Sequence, residues 1–207
     1  NGFNEEFMWS NDECELSTKY GFITDKLHTD LHECVGHGSG KILDGISPEA
    51  LKAYGATIEE TRADLFGLYF IADHKMVELG LLPDTEAYKA EYYRFMLNGL
   101  LTQLVRIKLG DVLEESHMRN RQLIASWVFE QGQKERIIEK ITKNNKTYIV
   151  IHNYSSLRQL FGKLLAKVQR IKSEGDYFAA KQLIETYAVQ IDANIHKEVL
   201  DRYASLD

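Results

Sequence analysis

Apolar residues at i, i+4 and i+8 (Leu27, Leu31 and Val35) stand among polar neighbours from Thr24 to His37, which predicts an amphipathic helix. It runs into Gly36-His37-Gly38-Ser39-Gly40, a cluster of helix terminators. Ser47-Pro48-Glu49 reads as a cap with proline at the first helical position, opening a short helix to about Tyr54 that Gly55 ends. Thr57-Ile58-Glu59-Glu60 has the Thr-x-x-Glu form of a capping box and starts a long apolar-periodic stretch to about Leu79, closed by Gly80 and Pro83. Further helices are expected over 84–109, 111–131, 155–173, 176–189 and the last dozen residues, with Gly110, Gly132 and Gly175 between them. Between 135 and 152 the pattern changes. There Ile137, Ile138 and Ile141, then Tyr148, Ile149, Val150 and Ile151, flank Lys143-Asn144-Asn145-Lys146, as in a β-hairpin.

Composition sharpens this picture. Only 2 of 207 residues are proline, so the residue that breaks helices is scarce. Hydrophobic residues make up 44% and charged residues 27%, the balance of a soluble globular chain with a core of its own. The length fits one domain over residues 1–207, mainly α, with the hairpin as its β element. A net charge of −6 argues against a sequence-independent nucleic-acid binder, and no apolar run is long enough for a membrane span. Cys14 and Cys34 stand twenty positions apart without a CxxC spacing, so a reducing, cytoplasmic setting is the default. The chain opens at Asn1 without a basic or apolar leader, and it reads as a piece of a longer protein.

The chemistry concentrates at His32-Glu33-Cys34-Val35-Gly36-His37, one residue longer than the HExxH of zinc peptidases. In a regular helix, i and i+4 lie about 40° apart around the axis, whereas i and i+5 lie about 140° apart and cannot meet one ion. HExxxH therefore requires a local widening such as a π turn, which Gly36 makes cheaper. A catalytic zinc takes three protein ligands and keeps one position open. Glu59-Glu60-Thr61-Arg62-Ala63-Asp64 offers the third. Glu60 and Asp64 share a helix face, so one carboxylate can bind the metal while the other accepts a hydrogen bond from a ligand histidine. Taken alone, Glu60 would be the third residue of a capping box, and Arg62 and Asp64 surface charge.

With these two motifs the chain resembles the zinc-dependent dipeptidyl peptidase III metallopeptidases, whose signature is HExxGH followed by EExR[AS][DE]. The likeness continues through Gly38-Ser39-Gly40-Lys41, Gly67-Leu68-Tyr69, His117-Met118-Arg119-Asn120-Arg121, Gly175-Asp176 and Tyr187-Ala188. It extends over essentially the whole chain, and the short interval between the motifs looks like the bacterial branch. The resemblance implies that His32, His37 and Glu60 bind one Zn2+, that Glu33 is the general base, and that Glu59 and Asp64 support the ligands from behind. It also implies that His117 lines the cleft and stabilises the reacting peptide, and that Arg121 contacts the substrate. The implied reaction is release of N-terminal dipeptides from oligopeptides. The family's enzymes are longer, so the upstream substrate-binding lobe, with its active-site tyrosine, and the C-terminal end are missing partners of this catalytic lobe.

Three other readings stay open on sequence: a helical zinc module silent by itself, an interaction domain with a vestigial HExxxH, and a zinc aminopeptidase of different cleavage length. Cys34 fits a small apolar role better than a zinc ligand. Gly38-x-Gly40-Lys41 lacks the Walker spacing and has Ile42 where Ser or Thr would bind magnesium. The lysines of the hairpin alternate with Glu135 and Glu139, as on a solvated face. The sequons at Asn145 and Asn153 are chance matches.

Overall fold

The computed structural model describes residues 2–206. Among these residues the chain is mainly helical: α1 (Gly2–Phe7), α2 (Asn11–Leu31), α3 (Gly55–Ile71), α4 (Lys75–Glu78), α5 (Tyr88–Leu100), α6 (Ser116–Gln133), α7 (Tyr154–Glu174), α8 (Tyr177–Tyr187) and α9 (Ala193–Ala204). A π turn over His32–His37 follows α2 directly, and a single hairpin, β1 (Ile138–Lys143) with β2 (Lys146–Ile151), precedes α7. No helix among the described residues is long and apolar enough to cross a membrane.

Helix α3 is the axis of the fold. It packs against α2, α6, α7 and the π turn, and buried residues (Ile58, Leu65, Leu68 and Ile71, but also Arg62 and Asp64) surround it. A helix enclosed on all sides presents no polar face to water. The apolar core continues from it through Tyr92, Met96 and Leu97 of α5, Leu123, Ile124 and Val128 of α6, and Phe161, Leu164 and Val168 of α7.

Several element boundaries differ from those expected. Helix α2 begins thirteen residues earlier than Thr24, because Ser10 caps it by accepting from Asp12 N at 3.2 Å while Glu13 reaches back to the Ser10 hydroxyl. The hydroxyl thus accepts from the helix and donates to Glu13, a side-chain N-cap. The short helix expected from Ser47 shrinks to turns and a 3₁₀ segment, Lys52–Tyr54, which leads straight into α3. Gly55 therefore starts α3 rather than ending its predecessor, and the expected box at Thr57 does not form. Thr57 lies inside the helix, where its carbonyl accepts from the Thr61 hydroxyl at 2.6 Å, and Glu60 points elsewhere. The stretch expected to reach Leu79 breaks after Ile71 into a turn and then α4. Similarly, the helix expected over 84–109 is trimmed to α5, because Leu101 leaves helical geometry and a 3₁₀ turn, Thr102–Arg106, follows it, and the one expected over 111–131 starts at Ser116 and runs to Gln133 as α6.

The hairpin forms where expected. Lys143 pairs with Lys146 and Ile138 with Ile151, and Asn144 and Asn145 take φ of 52° and 60°, the left-handed pair of a type I′ turn. Its apolar face (Ile138, Ile149 and Ile151) joins the core, and the Tyr93 hydroxyl of α5 donates to the Ile149 carbonyl at 3.0 Å.

Arg202 ties the two ends of the chain to this hairpin. Its guanidinium is 4% exposed and donates to Glu6 Oε1 at 2.7 Å, to the Thr147 carbonyl at 2.7 Å and to Glu198 at 3.0 Å, while lying over the rings of Phe7 and Tyr148. Burial pushes the Glu6 carboxyl up, but Lys146 and Arg202 outweigh it and hold its pKa below the ordinary 4.5. Removing the cation leaves Glu6 with Lys146 alone and takes the donor from the Thr147 carbonyl and Glu198, so Arg202→Ala is expected to cost about 3–5 kcal/mol in denaturant unfolding at pH 7. A carboxyl with a depressed folded pKa contributes stability above its unfolded value and loses it as pH falls. The gap between wild type and Arg202→Ala is therefore expected to narrow below pH 4.5; an unchanged gap at pH 3 would count against the Glu6 pairing.

Candidate metal centre

The π turn solves the spacing problem of His32 and His37. Its wider winding returns the second histidine to the face of the first, and the two Nε2 atoms lie 3.0 Å apart. Gly36 serves this turn by its size. A Cβ there would come within 2.7 Å of Ala63 Cα, so the turn docks backbone to backbone on α3. Gly36 does not take a positive φ, so its demand in the structure is one of space.

Docking on α3 brings the second motif to the first. Asp64 Oδ1 lies 2.7 Å from His32 Nδ1, and Glu59 Oε1 lies 3.0 Å from His37 Nδ1. A carboxylate on Nδ1 fixes the proton there and leaves the Nε2 lone pair free. Both lone pairs then face Glu60, whose oxygens lie 3.3 Å from His32 Nε2 and 3.8 Å from His37 Nε2. Glu60 Oε2 is buried without a hydrogen-bond partner, because its close neighbours lie within charge-pairing range but lack donor geometry. Donor atoms of His32, His37 and Glu60 all lie within 4.8 Å of one another. Two imidazole lone pairs and an unpartnered carboxylate oxygen converging on one point repel each other unless a cation sits among them, and this donor set fits Zn2+.

The surroundings hold the two supporting carboxylates, Glu59 and Asp64, ionised. Burial pushes the Glu59 carboxyl up, but hydrogen bonds from Arg62, Lys172 and His37 overcome it and bring the pKa down to about 2. For His32, burial disfavours the charged imidazole while Asp64 more than offsets this and raises its pKa. Asp64 is likewise pushed up by burial and pulled below its ordinary value by His32 and then His28.

A cavity of about 310 Å³ opens beside the cluster, lined by His32, Glu33, Asp64, Arg94, His117 and Arg121 among others. Glu33 stands exposed on the π turn at its edge. Glu115 caps α6 by accepting from His117 N at 2.9 Å, which sets His117 in the first turn with Nδ1 3.3 Å from Glu60 Oε2. Arg121, one helical turn later, lines the same cavity. All eight residues singled out in the sequence (His32, Glu33, His37, Glu59, Glu60, Asp64, His117 and Arg121) thus fall at one place. Cys34 is exposed and outside the donor set.

Sequence reasoning missed three contributors. Arg62, given no role by the spacing argument, is wholly buried and donates to both oxygens of Glu59 (3.1 and 2.8 Å) and to the Gly36 carbonyl at 2.5 Å. Lys172 of α7 bonds Glu59 Oε2 at 2.5 Å from 113 positions away. His28, four residues before His32, faces the Asp64 carbonyl from Nε2 at 3.2 Å. The local signals for them were the place of Arg62 within the Glu59–Asp64 motif and the His28–His32 spacing of one helical turn.

A helical lobe that carries a His-Glu-x-x-x-His turn against a Glu-Glu pair is the architecture of a metallopeptidase lobe. A model of peptidase family M49 matches residues 45–203, well over half of the chain, and the chain belongs to that family. It is similar to the structure of DPP III from Caldithrix abyssi, with a TM-score of 0.70 and 26% identity over 96% of this chain and 34% of that one. Dipeptidyl-peptidase III from Corallococcus sp. strain EGB shares the fold, with a TM-score of 0.72 and 19% identity over 98% of this chain and 34% of that one. The chain thus spans about a third of the length of each structure.

Because a Cβ at Gly36 meets backbone rather than a movable side chain, Gly36→Ala is expected to cost about 1–3 kcal/mol. Thermal unfolding in the presence of a chelator measures this without any contribution from metal. A variant as stable as wild type would mean that the π turn can lift off α3 freely.

Proposed function

We propose that this chain is the metal-holding lobe of a zinc-dependent exopeptidase that releases N-terminal dipeptides from oligopeptides. The convergence of His32 Nε2, His37 Nε2 and the Glu60 carboxylate within 4.8 Å carries the reading, supported by membership of peptidase family M49. His32, His37 and Glu60 hold one Zn2+, with Asp64 and Glu59 fixing the two rings. When bound there, zinc supplies a Lewis acid for the scissile carbonyl and lowers the pKa of water toward ~7.

The remaining steps belong to side chains. Glu33 follows the ligand His32 directly and is solvent-exposed at the cavity edge, placed to take a proton from the attacking water and pass it to the leaving amine. His117 and Arg121 share a face of α6 toward the same cavity. His117 donates a hydrogen bond to the reacting peptide as charge builds on its carbonyl oxygen. Arg121 holds the peptide beyond the scissile bond. The chain accounts for about a third of the matched structures, so an opposing lobe of the same protein grips the peptide N-terminus. The free cysteines Cys14 and Cys34 favour a reducing compartment.

In the full-length enzyme, Glu33→Ala is expected to keep zinc while lowering kcat by roughly 10²- to 10⁴-fold, the span of a general base. Retained turnover would remove Glu33 from that role. Glu60→Ala is expected to lower zinc from one ion per chain to substoichiometric levels after dialysis, as read by elemental analysis. Full retention in that variant would falsify the ligand set.

A further inference from the structure

Behind the hydrogen bond from His32 to Asp64 stands a second histidine that metal chemistry alone does not require. His28 precedes His32 by one turn of α2, so both rings leave the same face. Its ring is buried. Nδ1 lies 2.6 Å from Glu91 Oε1, and Nε2 lies 3.2 Å from the Asp64 carbonyl and 3.6 Å from Asp64 Oδ1. Carboxylates and carbonyls only accept. Both ring nitrogens must therefore donate, and His28 is an imidazolium held between two carboxylates.

The fold is shaped around this array. A Cβ on Gly67 would lie 2.1 Å from His28 Cδ2, so the ring occupies a gap in α3 one turn beyond Asp64. Glu91 of α5 is wholly buried, and Arg94 closes on it with Nε at 3.0 Å and a terminal nitrogen at 2.8 Å. Arg94 in turn pairs with Asp25 of α2 at 2.6 Å. Apolar side chains of the same volume would stabilise such a site as well or better, so stability does not explain a row of buried charges. The row runs from Arg94 through Glu91 and His28 to Asp64, and its last contact is the Nδ1 of a metal-ligand histidine.

We propose that His28, backed by Glu91, is a positioning residue for the metal centre. It restrains Asp64 through its carbonyl at 3.2 Å and through the charge contact at 3.6 Å with Oδ1, the same oxygen that His32 Nδ1 meets, so that Asp64 holds the His32 ring with Nε2 aimed at Glu60 and His37. Asp64 without this restraint has rotamers that release His32. The inference deepens the metal reading above and rests on it.

The test is the zinc dissociation constant of the purified chain, measured by competition with a chromophoric chelator. Wild type is compared with His28→Gln, the near-isosteric Glu91→Gln, Asp64→Asn and the two doubles in the Asp64→Asn background. Each single variant is expected to weaken zinc binding roughly 10- to 100-fold, as loss of a ligand's supporting partner does. In the doubles, the His28 or Glu91 change is expected to add less than about twofold, since its route through Asp64 is already gone. Should His28→Gln fail to fold, Glu91→Gln carries the comparison, since it keeps the shape of the carboxyl. Wild-type zinc affinity in Glu91→Gln, or losses that multiply undiminished with Asp64→Asn, would overturn the inference while leaving the ligand set intact. A wild-type chain that takes up no zinc at any concentration would overturn the ligand set and this inference together.

Discussion

The contact on which this structure turns is that of Arg62 with the Gly36 carbonyl and the Glu59 carboxylate. A guanidinium with no exposure to water must find acceptors inside the protein. Here one acceptor belongs to the π turn and the other to its own helix, one turn earlier. The fork thereby locks α2 to α3 at a fixed height, and that height brings Asp64 under His32 and Glu59 under His37. The backbone contact of Gly36 with Ala63 supplies the fit, and Arg62 supplies the direction. A geometry dictated by one buried cation is stiffer than one left to apolar packing, which tolerates sliding.

Charge is organised in two separate lines behind the site. One runs from Lys172 and Arg62 through Glu59 to His37, and the other from Arg94 through Glu91 and His28 to Asp64 and His32. Both end on the Nδ1 of a histidine whose Nε2 faces Glu60. The lines enter from opposite sides, α7 and α5, so the two rings are oriented by different parts of the core. Glu60 alone among these carboxylates lacks a buried cationic partner of its own, which leaves its oxygen available.

The sequence disclosed the site better than it disclosed the helix limits, for a physical reason. His32, His37, Glu59, Glu60 and Asp64 lie in two short motifs whose spacing survives any tertiary arrangement, and Asn144-Asn145 announces its turn because few residues tolerate positive φ. Helix ends are weaker signals. Helix α2 could have been traced back to Ser10-x-x-Glu13, but exposed Phe22 and Ile23 blur its apolar face. The break after Ile71 has neither proline nor glycine to mark it, and Gly99, just before the one at Leu101, lies within α5 and packs against the Arg121 backbone. The burial of Arg62, His28 and Glu91 was illegible for another cause. A buried charge differs from a surface charge only through its partners, and Glu91 lies 63 positions from His28.

The π turn can be viewed as a one-residue insertion whose reading frame is restored within a single turn. Two histidines four apart on a regular helix would already meet one ion, so the extra residue is not needed to reach the metal. It is needed for the carbonyl of Gly36, which in the widened turn points at Arg62. A shorter motif would keep the ligands and lose the anchor. The length of this motif thus records how the helix is moored to its neighbour.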